Sequence, residues 1–280
     1  MGRLFERLGT LALAPALALA AAASLRPAGA TPPRARARLT VMSYNIHVGV
    51  GMDKRQDLRR IAGVIRQSRA DLVGLQEVDR GVERTGRVDE IRELARLTGM
   101  DYAFAHNLDY QGGQYGVAVL SRFPILAVDH RRYAPRQGRE RRGFIRVEVE
   151  VGGRRLNFVT THLDYQSAEG RLHEARQMLD ALRDVRGPLV VTGDFNEEPA
   201  GAVYDLMLAA GFADAWARAR VPAADPPGGG ATYPADKPTK RIDYVFRRGL
   251  DEDEAAPRSV PDTLASDHRP VVVGLRFSSQ

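Results

Sequence analysis

The chain has 280 residues, 44% of them hydrophobic and 27% charged, which is enough to bury a core without cross-links. It holds no cysteine, so disulfides, thiolate metal sites and cysteine nucleophiles are excluded, and any metal must be held by oxygen or imidazole. The formal charge of +6 is carried almost wholly by arginine, Lys54, Lys237 and Lys240 being the only lysines. The arginines are dispersed, with no basic tract of the kind a nucleic-acid arm needs; they are compatible with an anionic substrate without selecting one.

Residues 1–30 read as a secretory signal peptide. Arg3 and Arg7 precede an apolar run from Leu8 to about Leu25, which ends at the small-residue site Ala28-Gly29-Ala30. The expectation is a secreted or periplasmic protein, an uncleaved membrane anchor being the alternative. Residues 31–38 form a Pro/Arg linker, and residues 39–280 read as one domain.

Within it, Leu39 to Ile46 predicts a strand. Asp57 to Gln67 predicts a helix, with Leu58, Ile61, Ala62 and Ile65 on one face. Asp71 to Gln76 predicts a strand, and Asp89 to Thr98 a helix closed by Gly99. Val117 to Ser121, Ile125 to His130, Phe144 to Val151 and Arg155 to Leu163 all predict strands, the last two joined by a turn at Gly152-Gly153. A helix is expected over Glu169 to Leu182, a strand over Pro188 to Gly193, and a helix over Gly201 to Ala210 ended by Gly211. After a Pro/Gly loop at Asp225 to Gly230, strands are expected over Arg241 to Phe246 and Pro270 to Phe277. Strands with helices between them and hairpins in the middle predict two mixed sheets packed face to face with helices outside.

The polar residues that stand out sit in or just beyond apolar strands: Asn45, Glu77, His162, Asp194 with Asn196, Asp243, and Asp267 with His268. Taken singly, each has an ordinary structural reading as a turn former or a strand end. Together, four carboxylates, two amides and two imidazoles on one sheet edge are costly to bury unless a cation and hydrogen bonds compensate them. That combination points to a metal site built on oxygen ligands, which favour hard ions.

The segments Ser43-Tyr44-Asn45-Ile46, Leu75-Gln76-Glu77-Val78, Gly116 to Arg122, Thr160-Thr161-His162-Leu163-Asp164, Gly193-Asp194-Phe195-Asn196, Arg241-Ile242-Asp243-Tyr244 and Ser266-Asp267-His268-Arg269-Pro270 resemble, in order, those of the endonuclease/exonuclease/phosphatase (DNase I-like) superfamily. The resemblance implies a four-layer α/β sandwich (αββα) and a metal-dependent phosphoric ester hydrolase using magnesium, or else manganese or calcium. It implies Glu77 as the main metal ligand, with Asn45 and Asp267 beside the ion. Asp194 would orient or deprotonate the attacking water, and Asn196 would bond a phosphoryl oxygen. His268 would contact the phosphate, held by Asp243, and His162 would face the phosphoryl group or the leaving oxygen.

The expected function is that of an exported phosphodiesterase acting on a lipid-derived or small phosphodiester. An extracellular endonuclease and a non-catalytic phosphate-binding module are the alternatives. The expected partner is the phosphoester substrate (lipid head group, small phosphodiester or nucleic acid), and a monomer is expected. One departure stands out: abasic-site-type nucleases carry an acid two positions after the motif asparagine, where this chain has His47. His47 reads as a substrate contact or a structural residue. Arg122 reads as a phosphate contact or a strand closure, and Asp109 to Tyr115 as a substrate-binding loop or a hairpin connection. Glu83-Arg84-Thr85 and Arg139 to Arg142 are further candidates to meet an anionic head group. His106, His130 and His173 lie outside the motifs and read as structural.

Overall fold

Two parallel strand pairs, each linked by a helical crossover, lie at the heart of the molecule, and the site residues sit at the ends of these strands. The computed structural model describes residues 38–216, 230–252, 258–259 and 265–278; the expected signal peptide, nearly all of the linker and most of the Pro/Gly loop lie outside them. In chain order the elements are β1 (Arg38–Asn45), α1 (Leu58–Ser68), β2 (Leu72–Arg80), α2 (Glu90–Thr98), β3 (Asp101–Tyr110), β4 (Gly113–Ser121), β5 (Ala127–Arg132), β6 (Gly143–Val151), β7 (Arg154–His162), α3 (Ala168–Leu182), β8 (Leu189–Asp194), α4 (Ala202–Ala209), β9 (Ala213–Asp214), β10 (Asp243–Arg248), β11 (Leu250–Glu252), β12 (Arg258–Ser259) and β13 (Val271–Phe277).

The first sheet runs β11-β13-β1-β2-β4-β3, with β12 also paired to β13, and the second runs β5-β6-β7-β8-β10-β9. Among the described residues β1 with β2 and β7 with β8 pair parallel and the other pairs antiparallel, and α1 and α3 make the two crossovers. The sheets meet through Val41, Leu72, Val119, Ile145, Phe158, Val190 and Val245. The first sheet is covered by α1 and α2 through Ile61, Ile65, Ile91 and Leu94. The second is covered by α3 and α4 through Ala175, Met178, Val203 and Met207. This is the expected four-layer αββα sandwich.

The helix starts follow from their caps. The Asp57 side chain accepts from the backbone N–H groups of Arg59 and Arg60, and Asp89 accepts from Arg92, satisfying donors that a first turn leaves open. Gly99 closes α2 in the left-handed region, as expected.

Gly74 of β2 faces the second sheet at close range. A Cβ there would stand 2.1 Å from Thr192 Oγ1 and 2.6 Å from Thr160 Oγ1. Gly74→Ala is expected to cost about 1–3 kcal/mol by overpacking. Urea unfolding reads this directly, and an unchanged midpoint would show that the sheets can part at no cost.

Candidate active site

Strand register brings the site residues to one edge of the sandwich. Asn45 ends β1 opposite Gln76 of β2, the residue before Glu77. His162 ends β7 beside Asp194, which ends β8, and Asp194 pairs across to Asp243 at the start of β10. Asp267 and His268 lie just before β13, where the Ser266 hydroxyl donates to the Asn45 carbonyl at 2.7 Å. All eight residues expected from the sequence therefore converge, from both sheets.

Glu77 reaches this edge through a β-bulge between Leu75 and Val78, with its own backbone in the left-handed region at φ 57°. That conformation is uncommon for a residue with a side chain and is tolerated where surrounding structure fixes it. It lets Gln76 turn inward, donating to Thr160 Oγ1 at 2.7 Å, while Glu77 lines the cleft. Asn196 adopts the same region at φ 51°.

Asn45 Nδ2 donates to Glu77 Oε1 at 2.9 Å and to Asp194 Oδ2 at 3.0 Å. Its Oδ1 accepts the His47 backbone N–H at 3.0 Å, so the amide joins the two carboxylates. Asp194 Oδ1 accepts the Asn196 backbone N–H at 2.9 Å. Burial, reinforced by the Asp243 charge, raises the Asp194 pKa from the ordinary carboxylate range, against the pull of His268 and the hydrogen bond from Asn45.

His268 Nδ1 bonds Asp243 Oδ2 at 2.9 Å, and the Thr232 hydroxyl donates to the same oxygen at 2.5 Å. Burial opposes charge on His268, but Asp243 and Asp194 outweigh it and raise its pKa to about 10. At neutral pH it is an imidazolium whose Nε2 stands 3.7 Å from Asp194 Oδ2. His162 is its opposite. Burial, then the Arg142 and His268 charges, push it well below the usual histidine range, and Asn196 Nδ2 meets its Nε2 at 3.1 Å. One neutral and one cationic imidazole thus stand near the same oxygen of Asp194.

Among the described residues, one group of three Asp and His side chains offers ligand atoms within 4.8 Å of one another: Asp194, Asp243 and His268. Two of the three are already bonded to each other, which makes this group a proton-holding network rather than a ready metal nest. The carboxylates of Glu77 and Asp267 are oxygen donors that suit a hard divalent cation better, with Asn45 turning its amide N–H groups to Glu77 and Asp194. Glu77, Asp194 and Asp267 all line the same cleft, where their negative charge favours a cation.

The cleft holds about 760 Å³ and extends beyond these residues. Tyr110, Tyr115, Arg84, Arg142 and Glu140 line it, as do Tyr165, Arg171, Glu197, Glu198, Tyr233 and Lys240. Arg84 and Arg142 come from the segments expected to meet an anionic head group, and Arg142 is buried with its Nη1 bonded to no described residue. Asp109 to Tyr115 is a hairpin connection between β3 and β4, and its Tyr110 and Tyr115 line the cleft. Tyr165, Arg171, Tyr233 and Lys240 belong to no motif, and nothing in their spacing separates them from surface residues. Arg122 closes its strand, donating from Nε to the Ala70 carbonyl at 3.0 Å. His47 Nδ1 meets the Val50 carbonyl at 3.0 Å and Asp267 Oδ1 at 3.7 Å, an arrangement that organises the loop beside Asp267.

Comparison with known proteins places this arrangement. Residues 42–268 match the model of the Endonuclease/Exonuclease/phosphatase family. The chain is 28% identical over 246 residues to the uncharacterized protein YbhP of Escherichia coli strain K12, covering 82% of this chain and 93% of that one. An endonuclease/exonuclease/phosphatase from Beutenbergia cavernae superposes with a TM-score of 0.72 at 28% identity, over 87% of this chain and 72% of the other. A mannosyl-6-phosphatase of Bacteroides thetaiotaomicron shares the fold, with a TM-score of 0.69 at 20% identity over 85% of this chain and 100% of its own. The strand-end site and the match spanning it agree: the chain belongs to the Endonuclease/Exonuclease/phosphatase family.

Proposed function

We propose that the protein is an exported, divalent-metal-dependent phosphodiesterase acting on a small or lipid-derived phosphodiester. The observation that carries the substrate class is the mixed charge of the cleft walls. Arg84, Arg142, Arg171 and Lys240 alternate with Glu140, Glu197 and Glu198 around a volume of about 760 Å³. That volume suits a small molecule or one head group. A nucleic-acid track instead needs a continuous basic surface to replace released counterions. Export rests on Arg3, Arg7, the apolar run and Ala28-Gly29-Ala30 in the sequence.

Glu77 and Asp267 would hold the metal, with Asn45 fixing Glu77 in place. When bound, the ion supplies Lewis-acid polarisation of the phosphoryl group. The chain's own residues supply the rest. Asp194, with its raised pKa and two accepted hydrogen bonds, is set to orient a water and take its proton. The His268 imidazolium can donate through Nε2 to a phosphoryl oxygen while Asp243 and Thr232 hold the other side of the ring network. Arg142 brings an unpartnered Nη1 to the same anion. His162, neutral and bonded by Asn196, stands 3.4 Å from Asp194 Oδ2 and adds no positive charge there.

A substrate panel tests this reading. It combines bis-p-nitrophenyl phosphate, p-nitrophenyl phosphate, sphingomyelin, inositol phosphates and plasmid DNA, each with magnesium, manganese and calcium. Diester turnover that chelation removes is expected, with Glu77→Gln needing far more metal for half-maximal rate. Turnover of plasmid DNA alone would replace the substrate class, and no turnover with any metal would sink the enzyme reading.

A further inference from the structure

We propose that Arg84, clamped between Tyr110 and Tyr115, forms a second anion subsite that binds a phosphate or carboxylate carried by the substrate beyond the scissile phosphoester. The proposal rests on the phosphodiesterase reading above and specifies which diesters that cleft prefers.

Arg84 is held more firmly than a surface arginine. Its Nε and Nη2 donate to the two oxygens of Asp79 at 2.8 and 2.9 Å. Asp79 is fully buried and also accepts from the Thr85 hydroxyl. Its backbone N–H is fixed in turn by the buried carboxylate of Glu90 at 2.8 Å. The guanidinium lies 4.8 Å from the Tyr110 ring centre and 5.3 Å from that of Tyr115. Its backbone N–H donates to Gln111 Oε1 at 2.9 Å, tying the segment to the β3–β4 turn. That turn has no slack, since a Cβ at Gly113 would stand 2.4 Å from the Val82 backbone nitrogen.

The outcome is a preorganised fork. The inner edge is engaged by Asp79 and both tyrosine rings pack against the guanidinium, while Nη1 bonds no described residue, in a side chain 36% exposed that lines the cleft. A partner needed only to neutralise Asp79 would not require a seat in the cleft wall between two tyrosines. Preorganisation lowers the ordering cost of binding, and a planar guanidinium edge matches a two-oxygen acceptor. Tyr115, Arg84, Arg142 and Glu77 line the same cleft, so this fork and the reaction centre share one wall. A substrate reaching both ends presents its scissile phosphate to Arg142 and His268 and its second anion to Arg84.

The test uses p-nitrophenyl phosphodiesters that differ only in the second ester: butyl, carboxypropyl or phosphonopropyl. For the full chain with its preferred metal, kcat/KM for the anionic esters should exceed that for butyl by about 10–100-fold, mainly through KM. Arg84→Gln should collapse that ratio towards one. Because it leaves Asp79 buried without its partner, the double variant Asp79→Asn/Arg84→Gln, which removes both charges, serves as the folded control. A wild-type ratio near one, or a ratio retained by the folded double variant, overturns the subsite. Calorimetric binding of propylene bisphosphate against propyl phosphate reads the same preference without turnover. A chain that hydrolyses none of the esters yet binds the bisphosphate more tightly would lose the phosphodiesterase reading and keep the subsite; equal binding would remove the subsite.

Discussion

Asp194→Asn is expected to lower kcat by about 10²–10⁴-fold while leaving the protein folded, the range associated with loss of a general base. Asp194 has its proton-accepting capacity raised by burial and by Asp243, and it sits between Asn45 and the Asn196 backbone, which fix its two oxygens. The stability side follows from the sign of that shift. A carboxyl whose folded pKa lies above its unfolded value of roughly 4 destabilises the fold as pH rises between the two, and the penalty is complete above the folded value. Asparagine removes that penalty and loses one accepted hydrogen bond, so at pH 8 the two effects offset each other. Thermal melts of the two proteins at pH 4 and pH 8, with metal-dependent turnover at pH 8, check both halves. A variant that keeps wild-type kcat would remove Asp194 from the mechanism. A variant that melts far below wild type at pH 8 would show the carboxylate to be structural.

The site was legible in the sequence because its members terminate apolar strands, and strands advertise themselves by pattern. Leu189-Val190-Val191 leads to Asp194 and Phe158-Val159 to His162, so reading the strands meant reading the site. β3 was not expected, and its burial explains why. The residues it turns inward are Ala103, Ala105 and Asn107, while the larger Tyr102 and Phe104 face outward or sit half buried, so no apolar alternation marks it. β2 was expected to stop at Gln76, where the apolar run ends. It continues across the bulge because Asp79 is buried against Arg84, a pairing between residues that pattern alone cannot join. The cleft wall was the least legible part. Tyr165 follows β7, and Tyr233 and Lys240 lie on the β9–β10 connection, so only tertiary packing brings them to one volume. For the same reason the sequence spoke more clearly about the reaction than about its substrate: chemistry sits on strand ends, and selectivity sits on the connections between them.

Asp243→Asn should act through His268, and the pH profile is where that shows. In the wild-type protein burial disfavours the imidazolium, yet the Asp243 and Asp194 charges raise it to about 10, so a step needing protonated His268 loses rate only as pH climbs through about 10. Asparagine at position 243 keeps a hydrogen-bond acceptor near Nδ1 and removes the nearer charge. Burial then weighs more, and the alkaline limb moves down by more than about one pH unit, one unit being about 1.4 kcal/mol of differential interaction. The loss of rate is therefore expected to be small at neutral pH, where the imidazole stays protonated, and to grow to about tenfold or more as the buffer is made alkaline. Stability carries the same signature. A histidine whose folded pKa exceeds its unfolded value of about 6.5 contributes stability in full below 6.5 and loses it as pH rises through the folded value. The variant should therefore be most destabilised relative to wild type near pH 6 and least so above pH 10. If instead kcat falls by the same factor at every pH and the limb stays in place, Asp243 serves as a packing residue, and the His268 imidazolium is not the species that meets the phosphate.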